Sequence, residues 1–322
     1  MVKFKFLKMI NRRHIRLKVM QSLYAYFTSK EKDLTLVQKQ MLKQCDSIAH
    51  LYLLLLSLPL ALAHFSKDFL AQQKQKHFPT NADKNPSEKF ANNLIIKLIT
   101  KDEVLLSQID KVSGFWFNND HDLIRKLFVK IWKSDLYKEY ANSNQSSFVE
   151  DKEFLLSVFN QYIIEDDLLH HILEEESIFW MDDLPFVSNI ICSQIKATEI
   201  GESRIITTTV FKNKEDKVFA KNLFSETILN HKQFASIISK RAKNWDLDRI
   251  ATMDQILLMM ALCELMYFDE IPVKVSLNEY IEVAKYYSTS NSKSFINGIL
   301  DKVISEYKKS GKIKKVGRGL LE

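Results

Sequence analysis

The feature that most constrains the fold is the stretch from Asp248 to Asp301, where helical patterns follow one another with short polar joints between them. Apolar side chains recur there at steps of three and four residues. The first such stripe comprises Met253, Ile256, Leu257, Met260, Ala261 and Leu265; the second comprises Phe295, Ile296, Ile299, Leu300, Val303 and Ile304. This spacing predicts two helices with one apolar face each. The first must end before Pro272.

A third helix is predicted between these two. Ser276 and Glu279 have the S-x-x-E spacing of a capping box, so we expect the helix to begin at Ser276. Gly298 lies inside the last stripe, where a glycine costs about 1 kcal/mol relative to alanine. Because its neighbours are apolar, we favour close packing of another backbone at Gly298 over a tolerated surface glycine.

Composition extends this helical prediction to the whole chain. Six glycines, five prolines and 46% hydrophobic residues in 322 positions favour long helices with few turns. The run 204–210 is rich in β-branched residues, which suits a short strand or an extended connector. Because nothing in the sequence offers it a clear pairing partner, we predict a connector. The fold class predicted is all-α.

The cysteines and the longest apolar run bear on compartment. Cys45, Cys192 and Cys263 lie far apart and have no C-x-x-C spacing, which argues against disulfide and metal roles and favours a reducing, cytoplasmic setting. The run Leu51 to Ala63 is thirteen residues long, whereas a membrane-spanning helix needs about twenty. We therefore predict a buried helix and no membrane partner.

Charge is distributed unevenly around a formal total of +6. Residues 1–20 carry seven basic and no acidic side chains, and residues 302–322 carry seven basic and two acidic ones. The interior is correspondingly acidic. Basic ends on a protein without a membrane anchor suggest a polyanionic partner, most simply nucleic acid.

Eleven of the acidic residues fall within 150–183, against Lys152 as the one lysine or arginine. Three interpretations remain open: a solvated helix face, a contact for a basic protein, or a carboxylate cluster that binds a metal. His170 and His171 follow the acids but do not give a regular E-x-x-H spacing. We therefore predict no metal site.

Several segments together resemble a known family. They read IPVKVSLNE at 271–279, AK at 284–285, SFINGILD at 294–301 and MALCEL at 260–265, while RRHIR at 12–16 leads into QSLYA at 21–25. These segments are similar to the bacterial transcription antitermination factors of the NusB family. The resemblance covers about residues 217–307 and 11–27.

The resemblance implies an all-α NusB-like helical bundle with an additional helical insertion. The domains expected are a basic arm at 1–10, an arginine-rich helix at 11–28, a helical insertion at 29–216, the C-terminal core at 217–307 and a basic flexible tail at 308–322. Compact members of the family need only a short connection where this chain has its insertion.

Candidate binding residues come from charge and resemblance together. The resemblance implies RNA contacts by Arg12, Arg13, Arg16, Lys293 and Phe295. A solvated arginine face, and a core position for Phe295, are the competing interpretations. The small side chains from Ser288 to Ser292 precede a helix start, where backbone NH groups favour anions.

A protein contact is also implied by the resemblance, with NusE, a small-subunit ribosomal protein that acts as a transcription factor. Tyr24 and Glu264 would belong to it. Local pairing of Glu264 with a lysine is the alternative.

No constellation for chemistry is found: there is no glycine-rich phosphate loop, no G-x-S-x-G and no zinc signature. We therefore predict a binding protein without cofactor, metal or catalytic residues. The resemblance implies binding of boxA-type leader RNA of ribosomal RNA operons together with NusE, on the RNA polymerase elongation complex. A helical protein-binding scaffold and an accessory domain of an RNA-modifying enzyme are alternatives. A homodimer through the RNA face is also open.

Overall fold

The structure is a computed structural model that describes residues 7–30, 32–78, 84–118, 122–144, 147–200, 208–211, 214–242 and 250–320. It divides the chain into two compact units, which we call the core unit and the inserted unit. The core unit comprises Ile10–Cys45 and Phe211–Glu322; the inserted unit comprises Met1–Met9 and Asp46–Val210. Apart from Met1–Met9, the inserted unit runs from Asp46 to Val210, so it is shorter than the insertion that we predicted at 29–216.

Helices form the core unit. They are α1 (Arg12–Thr28), the first part of α2 (Leu34–Lys74), α11 (Lys214–Leu229), α12 (His231–Arg241), α13 (Thr252–Tyr267), α14 (Val273–Tyr287) and α15 (Ser292–Lys309). Gln38, near the start of α2, donates from its amide to Ser225 Oγ of α11 at 2.7 Å. This contact explains why the beginning of α2 belongs to the core unit although it lies within the predicted insertion.

Helix α13 is the centre of the core unit. All ten residues from 256 to 265 are buried, so this helix has no solvent face over nearly three turns. It packs against α1, α11, α12, α14 and α15. The stripe predicted from sequence was therefore too narrow, because a helix surrounded by neighbours buries every side.

Two local predictions for the following helices are wrong. Helix α14 begins at Val273 after Pro272, one turn earlier than predicted, and Ser276 is not its cap. The Ser276 hydroxyl instead donates to Glu264 on α13 at 2.7 Å. Gly298 is exposed, and a Cβ built there meets nothing within 4 Å, so no backbone packs against it.

Because Gly298 lies in open space inside α15, replacing it by alanine should stabilise the protein. Gly298→Ala is expected to raise the free energy of unfolding by about 0.5–1 kcal/mol, since alanine has less backbone freedom to lose on folding. Denaturant unfolding followed by circular dichroism measures this difference. A destabilised variant would show that the helix needs glycine for a reason other than space.

The C-terminal segment predicted to be a flexible tail is packed. Helix α15 continues to Lys309, and Ile313 is buried. The Lys315 ammonium donates to the carbonyl oxygen of Phe268 at 2.9 Å, and the Val316 NH donates to that of Asp269 at 3.1 Å. The Lys315 ammonium thus satisfies a backbone carbonyl oxygen at the C-terminal end of α13. The charge pattern of the sequence alone did not predict this contact.

The inserted unit is also helical. After the remainder of α2 it contains α3 (Leu94–Lys101), α4 (Glu103–Ser113), α5 (Phe115–Asn118), α6 (Leu123–Lys133), α7 (Asp135–Asn142), α8 (Phe148–Val158), a π-helical turn (Phe159–Ile163), α9 (Asp167–Glu176) and α10 (Phe179–Ala197). An aromatic cluster forms much of its core: Phe90, Phe128, Tyr137 and Phe154 contact one another with ring centroids 5.8–6.4 Å apart.

Two short strands were not predicted. Strand β1 (Leu7–Ile10) pairs with β2 (Thr208–Phe211) in a two-stranded sheet. Residues 208–210 of the segment that we predicted to be a connector therefore do have a partner, about 200 residues away in the predicted basic arm. Residues 204–207 of that segment lie outside the described residues. Residues 1–6 of that arm lie outside the described residues.

Some acidic side chains of the stretch 150–183 are buried and hydrogen-bonded, whereas others are exposed. Asp166 accepts from the Leu169 NH at 3.0 Å as the N-cap of α9, and Asp151 accepts from the Tyr140 hydroxyl at 2.5 Å. Residues 174–176 are exposed. Within the described residues, no group of three or more His, Cys, Asp or Glu side chains could hold a metal ion.

Helix α2 is the one described helix that is long and apolar enough to cross a membrane by length and composition alone. In its most apolar window 61% of the residues are buried within the protein. Most of the run Leu51–Ala63 is buried, as predicted for a core helix. Pro59 lies inside α2.

Candidate nucleic-acid interface

A buried polar network joins α1 to α13 and α14. Arg16 forms two hydrogen bonds to the Glu264 carboxylate, at 2.8 and 2.6 Å, and the two side chains are 3% and 0% exposed. The hydroxyls of Ser276 and Tyr280 donate to the same carboxylate at 2.7 and 3.0 Å. We call Arg16, Glu264, Ser276 and Tyr280 the buried network. All the oxygens of Glu264 are thereby satisfied in a site that water does not reach.

Charge within this network overcomes the effect of burial on Arg16. Burial lowers the pKa of the guanidinium, but the charge of Glu264 and its hydrogen bonds raise it more, so the pKa lies above its ordinary value. Burial, with the charge of Glu264, raises the pKa of Tyr280 well above its ordinary value. Arg16 therefore stays charged and the Tyr280 phenol stays protonated across the physiological range.

Arg16 and Glu264 therefore do not lie where the sequence-based hypothesis requires them. The Arg16 guanidinium borders a cavity beside the start of α14, but it is only 3% exposed and is already held by two hydrogen bonds. The Glu264 carboxylate is fully buried, so a partner protein cannot contact it. The structure assigns both residues to the attachment of α1. The hypothesis failed because helical periodicity alone does not tell a solvent-facing arginine from one that faces a buried acid.

Arg12 and Arg13 do reach the surface. Arg12 pairs with Asp216 of α11 at 3.2 Å and lies over the Phe219 ring at 5.0 Å, with 39% of its side chain exposed. Arg13 makes two hydrogen bonds to Glu279 of α14, at 2.9 and 2.8 Å, and is 51% exposed. Each guanidinium has five NH donors, so both retain donors for another oxygen ligand.

A cavity of about 510 Å³ lies where α1 begins beside the start of α14. Its lining includes Arg12, Arg13, Glu270, Pro272 and Glu279. Partial burial raises the pKa of Glu279, but the hydrogen bond from Arg13 and the charges of Arg16 and Arg13 together lower it more, so the pKa lies below its ordinary value. The carboxylate therefore stays ionised and holds the arginine in place.

The joint before α15 is organised around Asp254 of α13. Ser288 and Ser292 donate to its carboxylate at 2.5 and 2.7 Å, and Ser292 is buried. The anion site that we predicted among these small residues is thus filled by a carboxylate of the chain itself. Lys293 is exposed, whereas Phe295 is half-buried.

Tyr286, at the end of α14, is the most exposed aromatic side chain in the described part of the core unit, at 80%. It follows Glu279 and Glu282 at steps of three and four, so these three residues share one side of α14. Tyr286 is not among the candidate binding residues named from the sequence. Its signal is an aromatic placed on the polar side of an amphipathic helix.

The pKa of Glu282 on α14 is affected by charged side chains of its own helix and of two other helices. Its hydrogen bond with Lys285 lowers the pKa of the carboxyl group most, and the charges of Arg13 and Lys293 lower it further. Arg13 of α1 and Lys293 of α15 therefore lie within electrostatic range of one carboxylate.

His14 on α1 is expected to make the stability of the protein depend on pH. Burial, then the charges of Lys18 and Arg13, lower its pKa to about 4. The unfolded chain therefore takes up this proton before the folded one as pH falls from 6.5 to 4. Stability contributed by neutral His14 should be complete above pH 6.5 and be lost progressively in that window. Unfolding measured at steps of pH should show a smaller decline for His14→Gln than for the parent, and identical slopes would contradict the assignment.

Tyr24, the other residue predicted to contact a protein, is 44% exposed on α1. It is available to a partner, unlike Glu264. Nothing in its surroundings identifies what that partner is.

Comparison with known proteins gives a consistent set of relatives. Residues 194–305 match the model of the NusB family. Transcription antitermination protein NusB of Natranaerobius thermophilus is 36% identical over 113 residues, which are 35% of this chain and 81% of that protein. NusB of Salinibacter ruber is 46% identical over 103 residues, 32% of this chain and 64% of that one.

NusB of Chloroherpeton thalassium is 42% identical over 118 residues, 37% of this chain and 56% of that one. The chain thus spans less than two thirds of the Salinibacter and Chloroherpeton relatives, and is longer than either. A solved structure of T. maritima NusB is 29% identical and covers 42% of this chain and 86% of that one, with a TM-score of 0.29.

Proposed function

This chain belongs to the NusB family, and from that premise we propose that it is an RNA-binding transcription antitermination factor rather than an enzyme. Its RNA ligand would be the boxA-type leader of ribosomal RNA transcripts. NusE would bind beside it, and the assembly would act on the RNA polymerase elongation complex in the cytoplasm. The observation that carries the proposal is that the side chains of Arg12, Arg13, Tyr286 and Lys293 all reach the surface of the core unit.

The exposed arginines are suited to bind phosphate. Arg12 and Arg13 are each held by one carboxylate but keep donors that face solvent. A planar guanidinium binds phosphate oxygens in pairs, and its neighbouring carboxylate fixes its direction without burying it. Lys293 would supply a further point charge.

Unpaired bases need an aromatic surface. Tyr286 is more exposed than Phe295, so we assign the stacking role first to Tyr286 and give Phe295 a contact at its half-buried edge. Base stacking on an aromatic ring contributes about 1–3 kcal/mol per base. Asp254 would act as a positioning residue, since its hydrogen bonds to Ser288 and Ser292 hold the joint that carries Lys293.

Tyr286→Ala is expected to weaken binding of single-stranded boxA-type RNA by roughly fivefold to a hundredfold, which corresponds to about 1–3 kcal/mol. Fluorescence anisotropy with labelled RNA measures this loss. Phe117→Ala, at an aromatic residue of the inserted unit that is 61% exposed, is the matched control and should bind as the parent does. A larger effect of Phe295→Ala than of Tyr286→Ala would reverse the assignment of the two rings.

The decisive experiment for the function is a titration of the full chain with boxA-type RNA, with and without NusE, against a scrambled RNA of equal length. We expect preference for the boxA-type sequence and tighter binding when NusE is present. Tyr24→Ala should reduce the gain from NusE without changing binding of RNA alone. Equal affinity for both RNAs, unchanged by NusE, would exclude the proposal and favour the protein-binding scaffold.

A further inference from the structure

The inserted unit contains a cavity of about 590 Å³ that plays no part in the proposed RNA face. It is bordered by the end of α2, residues 85–87, the end of α6 and four residues of α7. A volume of this size is typical of sites that bind a small molecule. All the residues that define it belong to the inserted unit.

One wall of the cavity is apolar and aromatic. Leu70, Pro86 and Trp132 contribute to it. Trp132 packs edge to face against Phe69, with ring centroids 5.2 Å apart, so the indole is held in one orientation. A fixed and only partly buried indole is a suitable surface for a flat heterocycle.

The polar part of the lining is rich in amides and lysines. The amides belong to Gln73, Asn85 and Asn142, and the lysines are Lys133 and Lys138. The described lining residues include no aspartate or glutamate. Amides offer both donors and acceptors, as the edge of a nucleobase requires, and the two ammonium groups favour an anion.

The cavity also has an unsatisfied buried hydroxyl in its lining. Tyr137 is 4% exposed, and its phenolic oxygen has no hydrogen-bond partner within the protein. A buried hydroxyl without a partner costs about 1–3 kcal/mol. Burial raises the pKa of Tyr137 to about 12, so at neutral pH the group remains a donor.

We propose that this cavity is a nucleotide-binding site, in which the base packs against Trp132, its edge meets the amides, and a phosphate lies at Lys133 and Lys138. An uncharged apolar ligand would leave the three amides without a role. Lys138 pairs with the exposed carboxylate of Asp135 at 2.8 Å, and a phosphate would compete with that carboxylate for the ammonium group. The nucleotide is either free in solution or one unpaired nucleotide of an RNA strand, and the two sources share the same chemistry.

Isothermal titration of the full chain with AMP, GMP, CMP and UMP tests for a free nucleotide. A hexanucleotide of single-stranded RNA tests for a strand, in an Arg12→Ala/Arg13→Ala background that weakens the RNA face of the core unit. We expect at least one mononucleotide or the hexanucleotide to bind. Binding of mononucleotides assigns a free nucleotide, whereas binding of the hexanucleotide alone assigns a strand.

Variants of the lining locate the site. Lys133→Gln combined with Lys138→Gln, and separately Trp132→Leu, should each weaken binding at least tenfold. Lys126→Gln, an exposed lysine of α6 outside the lining, is the matched control and should bind as the parent does. Circular dichroism confirms that each variant is folded. Absence of binding by both kinds of ligand, or binding that is equal in the lining variants, would overturn the proposal, and neither result bears on the RNA face of the core unit.

Discussion

Replacing Glu264 by alanine is expected to lower the free energy of unfolding of the core unit by about 3–5 kcal/mol. The substitution leaves the Arg16 charge in a site where its side chain is 3% exposed, without either of its two short hydrogen bonds. Ser276 and Tyr280 lose their acceptor at the same time. Removing one partner of a buried ion pair costs more than the pair contributes, because the remaining charge stays desolvated.

Hydrogen exchange at amides of α13 and α14, read against denaturant, measures this loss in the core unit separately from the inserted unit. Arg13→Ala is the control, since its pair with Glu279 is half exposed and should contribute less than about 1 kcal/mol. Glu264→Gln keeps the size of the side chain and an acceptor, so it should fall between the two. A loss for Glu264→Ala no greater than that for Arg13→Ala would show that the buried network does not hold α1 in place.

Neutralising Arg12 and Arg13 together is expected to weaken RNA binding about tenfold or more at low salt, which corresponds to about 1.4 kcal/mol or more. If each guanidinium releases counterions from one phosphate of a single strand, the slope of log affinity against log salt should flatten by about 1.4. Arg16 is left out of this variant because its burial would confound a loss of binding with a loss of stability.

The control for this prediction is Lys232→Ala combined with Lys240→Ala. These exposed lysines of α12 give the same change in net charge elsewhere in the core unit. Anisotropy titrations at four or more salt concentrations give both the affinity and the slope. An unchanged slope for the arginine variant, or an equal change for the lysine variant, would remove Arg12 and Arg13 from the RNA site.

The helices were predictable from local pattern, whereas their ends were less so. The stripe of α15 correctly indicated a helix, because apolar side chains at steps of three and four must share one face. The capping box at Ser276 was wrong because two residues with suitable spacing also occur inside helices, and Pro272 was the stronger start signal. Pairing of β1 with β2 was missed because strand partners distant along the chain leave no local trace.

For the candidate site, too, the sequence indicated the helix but not the surroundings of its side chains. Resemblance and charge directed attention to α1, which the family match at 194–305 does not include. The spacing of the arginines could not show which of them are exposed. Their exposure and pairing depend on Asp216, Glu264 and Glu279, which lie more than 200 residues away along the chain.

By itself the sequence determined the helical class, the family and the positively charged first helix, because these follow from periodicity, from short motifs and from counting charge. The tertiary structure decided that Arg16 is internal, that Gly298 and Tyr286 are exposed, and that the segment from Ile313 to Val316 is packed near the end of α13. The physical reason is that burial and pairing are properties of neighbours in space. A carboxylate on another helix changes the same guanidinium from a free surface cation into part of the core.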